Sequence, residues 1–250
     1  MADFAGVDLN GARVLVAGAR VTGVSAARVL GELGAMVTVT DSSPAQLEAL
    51  AGTPWVDGPR VNGPVRLAHG LAAPPPGTDL VVTSPGFRPD APLMVAAHRA
   101  GVPVIGDVAL ARWLDCAQSS PAEWLVVTGT NGKTTTVGML ESILRAAGVD
   151  AVACGNVGFP VLDAVQAGLR VLAVELSSFQ LNWSPGMTPR AAAVLNVSAD
   201  LLDWHGGMER YAAAKGSVYA EDTTAVFNID DEWSARLAAG RGGVGFTTAE

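Results

Sequence analysis

"LVVTGTNGKTTT", residues 125–136, is the stretch on which the reading of this chain turns. An apolar strand runs into a glycine-rich turn and then a helix start, the layout of a phosphate-binding loop. Backbone N–H groups and the helix dipole at such a point favour an anion, and glycine lets the backbone come close to it. The common pattern is G-x-x-x-x-G-K-[ST]. Aligned on Gly132-Lys133-Thr134, it wants glycine at 127, where this chain has Val127. Gly129 and Gly132 instead give a tighter loop. Lys133 supplies a point charge for outer phosphates, and the Thr134 hydroxyl can ligate Mg2+. Such a site recruits an acid from a neighbouring strand end, and "VLAVELSSFQL" (171–181) offers Glu175. Taken singly, Gly-Lys-Thr is an ordinary helix start and Glu175 a solvated strand-end carboxylate. Strand, loop, helix and acid together make nucleotide binding the better reading.

Outward from the loop, short β-branched runs alternate with alanine-rich helical segments. Strands are expected at 13–18, 36–41, 79–84 and 102–106, with helices at 23–34 and 91–101. The proline-bearing stretch 52–78 reads as loop with one edge strand near "VRLA". The polar "DCAQSSPAE" (115–123) interrupts the pattern, which then restarts. Strands follow at 124–129, 151–154, 170–176 and 191–198, with helices at 133–148 and 207–221. "TAVFNIDDEWSARLA" (224–238) reads as strand, turn, helix, and a last strand ends the chain. This grammar predicts an α/β protein with parallel sheets. A Rossmann-like domain is expected at 1–114, a linker at 115–122 and a P-loop-containing domain at 123–250.

Apolar residues make up 49% and charged residues 16%, enough for a sizeable core. The net charge of −8 argues against a nucleic-acid binder, which needs a basic surface. Cys116 and Cys154 form neither a C-x-x-C pair nor a zinc pattern, so two reduced thiols in a cytoplasmic protein are expected. The first residues, with Asp3 and Asp8, do not read as a signal or transit peptide, and no apolar run is long enough for a membrane span.

The motifs "TGTNGKTTT", "CGNVGFP" (154–160), "VELSSFQL", "NVSAD" (196–200) and "YAAAKGSVY" (211–219), in that order, resemble those of the Mur ligases of peptidoglycan synthesis. Two features resemble the branch of that family that adds D-glutamate: the N-terminal Rossmann-like region with "TSPGF" (83–87), and "ELSSFQL". The resemblance covers essentially the whole chain. It implies a monomeric enzyme using ATP and Mg2+ that joins D-glutamate to UDP-N-acetylmuramoyl-L-alanine through an acyl phosphate. On that resemblance Gly129, Thr130, Asn131, Gly132, Lys133, Thr134 and Thr135 hold the ATP phosphates. Thr134 and Glu175 hold Mg2+, and Asn228 contacts adenine. Asn156, Ser177 and Gln180 face the muramoyl-alanine end. Lys215 matches a lysine that family members carry as a carbamate, although its sequence context alone reads as a solvated helix lysine.

"AGARVTGVSAARVL" (17–30), followed by Asp41, mimics a dinucleotide fingerprint. Gly18 and Gly23 give G-x-x-x-x-G, however, without the middle glycine, and a nicotinamide oxidoreductase is the minor alternative. The family uses this crevice for the uridine diphosphate, which points to Arg20, Val21, Thr22, Asp41, Ser84, Pro85 and Gly86.

Two departures from the family pattern favour a rival reading, a catalytically inactive fragment or paralogue that binds precursor or ATP only. Leu201 stands where the family has a metal-binding histidine, and His205 is not expected to replace it. Family members also continue by roughly 200 residues, including the domain that supplies the amino-acid site. The central domain is therefore expected to be incomplete here, with an exposed sheet edge. A sister ligase that adds another amino acid is the same-class rival.

Overall fold

The structure, a computed structural model, describes residues 7–57 and 65–248. The chain divides into two compact units, Met1–Leu110 and Ala111–Glu250.

In the first unit, strands β1 (Arg13–Ala17), β2 (Met36–Asp41), β3 (Val65–His69), β4 (Leu80–Thr83) and β5 (Val104–Gly106) form a sheet of order β3-β2-β1-β4-β5. Every pairing is parallel. Leu80, Val81, Val82 and Thr83 are all buried, as expected of a parallel strand covered on both faces. Helix α1 (Val21–Glu32) joins β1 to β2. Helices α2 (Pro44–Leu50) and α3 (Pro54–Asp57) follow β2, and α4 (Pro92–Arg99) joins β4 to β5. The strand near "VRLA" is β3, and it lies at the sheet edge as expected. Residues 58–64 of the expected loop lie outside the described residues, as does Asp3.

The glycines of the apparent fingerprint have a packing role. A Cβ on Gly23 would lie 1.9 Å from the Gly18 carbonyl oxygen, and one on Gly18 would lie 2.2 Å from Ser84 Oγ. Both residues let α1 seat tightly between β1 and the loop after β4.

Helix α5 (Asp107–Cys116) runs across the division at Leu110 and takes in the first residues of the expected linker. Asp115 is buried. Its Oδ2 accepts from Arg112 at 3.0 Å and from Trp124 Nε1 at 2.9 Å, and its Oδ1 accepts from the Ala122 amide at 2.9 Å. Polar composition at 115–122 thus conceals an anchored corner.

The second unit holds strands β6 (Glu123–Thr128), β7 (Ala151–Gly155), β8 (Val171–Glu175), β9 (Ala191–Val194), β10 (Thr224–Asn228) and β11 (Gly243–Phe246). They form a parallel sheet of order β11-β10-β9-β6-β8-β7. Helices α6 (Lys133–Ala146), α7 (Val161–Gln166), α8 (Ser178–Asn182), α9 (Leu202–His205), α10 (Met208–Gly216) and α11 (Glu232–Ala238) connect them. From β6 the chain runs out to β7, returns to β8 beside β6, and then crosses to β9 on the other side. The carboxyl ends of β8, β6 and β9 therefore meet at a topological switch point, where open α/β sheets take ligands. β11 forms an edge, with Val244 exposed.

Candidate functional site

The loop 129–132 opens at this switch point. Gly132 caps α6 with φ 85° and ψ −5°, a left-handed conformation that glycine adopts without a Cβ penalty. The amides of Lys133, Thr134 and Thr135 open the helix and have no carbonyl one turn back to bond. Two loop amides are already engaged. Asn196, just past β9, accepts from Thr130 N at 3.1 Å and Asn131 N at 2.9 Å through Oδ1, and its Nδ2 donates to Asn131 O at 3.1 Å. The Thr130 and Asn131 amides are thus held by a protein group, and the outward donors are those of the helix start.

Lys133 Nζ bends back over the loop and donates to the carbonyls of Gly129 and Thr130, both at 3.0 Å. Glu175 is buried at the end of β8. Its Oε2 accepts from Thr134 Oγ1 at 2.8 Å, and its Oε1 accepts from Asn156 Nδ2 at 3.1 Å. Main-chain pairing fixes this geometry: Gly155 pairs with Glu175 across β7 and β8, and Asn156 N donates to Glu175 O at 2.9 Å. Asn228 ends β10 and donates to Leu195 O at 3.1 Å, one residue before Asn196.

Lys215 on α10 is only 2% exposed. Its Nζ donates to Gly129 O at 2.8 Å, the carbonyl that Lys133 also uses, and lies 4.7 Å over the Tyr211 ring. Burial first, and the neighbouring Lys133 second, lower the Lys215 pKa to about 7 against the opposing effect of Asp200. The Tyr211 hydroxyl reaches Thr130 Oγ1 at 3.1 Å. Loop, aromatic ring and second lysine form one connected group.

In the first unit, a cleft of about 630 Å³ opens at the carboxyl ends of β1 and β4, the switch point of that sheet. All seven residues expected to meet a uridine diphosphate line it: Arg20, Val21, Thr22, Asp41, Ser84, Pro85 and Gly86. Asp41 shapes its rim, accepting from Ala19 N and Ser43 N, each at 2.8 Å.

The Mur ligase middle domain matches residues 127–247. The UDP-N-acetylmuramoylalanine–D-glutamate ligase of Streptomyces avermitilis is 49% identical over 255 residues, covering 95% of this chain and 52% of the relative. The enzyme of the same name from Mycobacterium tuberculosis is 50% identical over 234 residues, covering 92% of this chain and 45% of the relative. The chain belongs to the Mur ligase family. It spans about half the length of these curated relatives. Among solved structures, a UDP-N-acetylmuramate:L-alanyl-gamma-D-glutamyl-meso-diaminopimelate ligase (MPL) from Neisseria meningitides aligns with TM-score 0.58 at 18% identity, covering 95% of this chain and 78% of that one. The UDP-N-acetylmuramate–alanine ligase MurC of Thermotoga maritima aligns with TM-score 0.53 at 22% identity, covering 95% of this chain and 53% of that one. Both likenesses are of fold. Residues 2–98 also match the C-terminal domain of alanine dehydrogenase/PNT.

Within this Mur ligase chain, the structure brings Gly129–Thr135, Glu175, Asn156 and Lys215 into one neighbourhood through the bonds above. Ser177 and Gln180, expected to face the muramoyl-alanine end, lie at the start of α8 just past β8. They form the capping box of α8: Gln180 N donates to Ser177 Oγ at 3.3 Å, and Ser177 N donates to Gln180 Oε1 at 3.0 Å. Gln180 is buried. The S-x-x-Q spacing was a legible sign of that cap. Lys215, a solvated helix lysine on local sequence, is instead a buried one. Asn196, Tyr211 and Ser198, whose amide donates to Thr130 Oγ1 at 3.0 Å, were missed as site residues, although "NVSAD" and "YAAAK" pointed at their segments. His205 is buried, its Nε2 lies 2.9 Å from Ser178 Oγ, and it stacks at 5.8 Å on Phe179. Those contacts hold it in the aromatic packing of α8–α10. Leu201 is 44% exposed at φ 53°, and it has the only positive φ outside glycine among the described residues.

Proposed function

We propose that this chain forms the nucleotide- and precursor-binding part of an ATP-dependent cytoplasmic ligase that joins D-glutamate to UDP-N-acetylmuramoyl-L-alanine. The observation that carries the proposal is the Thr134–Glu175 pair at the head of α6, on the loop whose Lys133 turns inward. In the proposed reaction a substrate carboxylate oxygen attacks the γ-phosphorus of ATP and ADP leaves. The D-glutamate amine then attacks the acyl carbon, and phosphate departs with the C–O electron pair. Such chemistry relies on positioning and on stabilising phosphoryl charge. The amides opening α6 and the Lys133 ammonium supply that stabilisation.

Thr134 Oγ1 and Glu175 Oε2 are hard oxygen donors 2.8 Å apart, a set that fits Mg2+. Among the described residues no cluster of three His, Cys, Asp or Glu could cage a metal, so phosphate and water oxygens would complete the shell. When bound, Mg2+ neutralises charge on the β- and γ-phosphates.

Lys215 at about pKa 7 presents a substantial share of free amine at neutral pH. A free amine adds to CO2, forming an N–C bond and releasing one proton, which turns the lysine into an anion. Incubation with 13C-bicarbonate at pH 8 is expected to give a carbamate carbon resonance that Lys215→Arg abolishes and that fades as pH falls below about 7. The pKa lies below its unfolded value, so the unfolded state binds more protons and stability rises with pH above about 7.

The test of the proposal is calorimetry on the chain with UDP-N-acetylmuramoyl-L-alanine and with Mg-ATP. Binding of both is expected, and binding of neither refutes the proposal. The match of residues 2–98 to a dehydrogenase domain favours a second reading, a nicotinamide site on β1–α1–β2. Arg20 stands where that fingerprint needs its middle glycine. No rise in Tm is therefore expected with NAD, whereas a rise would favour the second reading.

A further inference from the structure

Opposite pairs in the first sheet put Arg13 beside Met36, Leu15 beside Thr38, and Thr38 beside Arg66. Side chains alternate along a strand, so these five residues share one face. A parallel sheet covered on both sides reads apolar, yet this face carries two arginines around a threonine. Right-handed crossovers place α1, α2 and α3 on a common face. A pocket on this sheet has no helix residue in its wall among the described residues. It measures about 160 Å³, and Arg13, Thr38, Arg66, Pro76 and Thr78 line it.

Among the described residues no carboxylate lines this pocket. Asp79, which accepts from the Arg13 amide at 2.8 Å, lines a different cavity with Asp8. Arg13 Nη1 donates to Pro76 O at 3.2 Å, which leaves most of its five donors unused. Arg66 is exposed and makes no ion pair among the described residues. Two arginines in the wall of one pocket that holds no carboxylate among the described residues, in a chain of net charge −8, run against the overall balance.

We propose that this pocket binds a small oxyanion of phosphate size, held by Arg66 and Arg13 with the Thr38 and Thr78 hydroxyls beside them. Planar guanidinium forks match the geometry of such an anion. The volume is too small for a nucleotide, whose sites start at roughly 300 Å³. The proposal is independent of the ligase reading, because none of these residues belongs to either site described above.

The test is an amide-resolved NMR titration of the chain with inorganic phosphate, carried out in Lys133→Ala so that the nucleotide loop does not dominate. Saturating shifts are expected at Thr38, Arg66, Leu67 and Thr78, weakening as sodium chloride is raised. Arg66→Gln is expected to weaken binding by about tenfold or more, as for loss of a charged hydrogen bond. Arg66 is an exposed residue of an edge strand, so an unchanged Tm will confirm that the variant folds. Thr38→Val gives a second, uncharged probe. Phosphate that leaves these amides unmoved at millimolar concentration, or that binds Arg66→Gln as well as the parent, overturns the proposal.

Discussion

Lys133→Ala is expected to reduce ATP-dependent phosphoryl transfer by about 100-fold or more, the usual effect of removing a preorganised donor to transition-state charge. Binding of UDP-N-acetylmuramoyl-L-alanine is expected to stay nearly intact, because the cleft that would take the uridine diphosphate belongs to the first unit. The geometry gives the prediction a second arm. Lys133 Nζ and Lys215 Nζ share the Gly129 carbonyl, and Lys133 is one of the causes that lower the Lys215 pKa. Removing Lys133 should therefore let the Lys215 pKa rise and move the onset of carbamate formation to higher pH. Phosphate release and 13C NMR on the same variant check both arms. Normal turnover would show that Lys133 has no part in phosphoryl transfer. An unmoved carbamate profile would show that burial alone sets the Lys215 pKa.

The central site was legible where chemistry and chain grammar coincide. Strand, glycine turn and helix placed Gly129–Thr135 at a switch point, and an acid at the end of a buried strand had few other places to point than Thr134. The less legible parts depend on partners distant in sequence. Asn196 lies 65 residues from the amide of Asn131 that it holds, and nothing local marks it as a clamp. Burial of Lys215 depends on α10 packing against α8 and on the Tyr211 ring, which periodicity at 207–221 could not supply. Short helices such as α2, α7 and α8 were missed because their five to seven residues hold too little periodic pattern to read. At Asp115, within the expected linker, a polar residue is buried by satisfying an arginine, an indole and an amide together, which local composition could not show. At Leu201 a leucine sits at φ 53°, a region where histidine and asparagine are enriched and leucine is not. Local propensity and observed backbone conflict there, as strained positions near functional sites often do.

Gly155→Ala tests how much of the acid's placement rests on main-chain packing. Gly155 ends β7 at φ 118°, and a Cβ there would lie 2.1 Å from the Glu175 carbonyl oxygen. That oxygen belongs to a paired strand and cannot swing away as a flexible side chain would. Strain at this φ and the clash together are expected to cost roughly 3 kcal/mol. For a chain of this size that is a fall in Tm of about 6–12 °C. The same displacement would pull Asn156 from both its bonds to Glu175, at 2.9 Å through the backbone and 3.1 Å through the side chain. Mg-ATP affinity should fall together with stability, and precursor binding in the first unit should not. Gly158 is the control: its φ is 82°, but a Cβ there meets nothing within 4 Å. Gly158→Ala should therefore lose only the backbone component, about 1 kcal/mol, and keep its affinity for Mg-ATP. Equal losses in the two variants would mean that the contact between Gly155 and Glu175 does not hold the carboxylate in place. The hydrogen bond from Thr134 would then be the better account of how Glu175 is positioned.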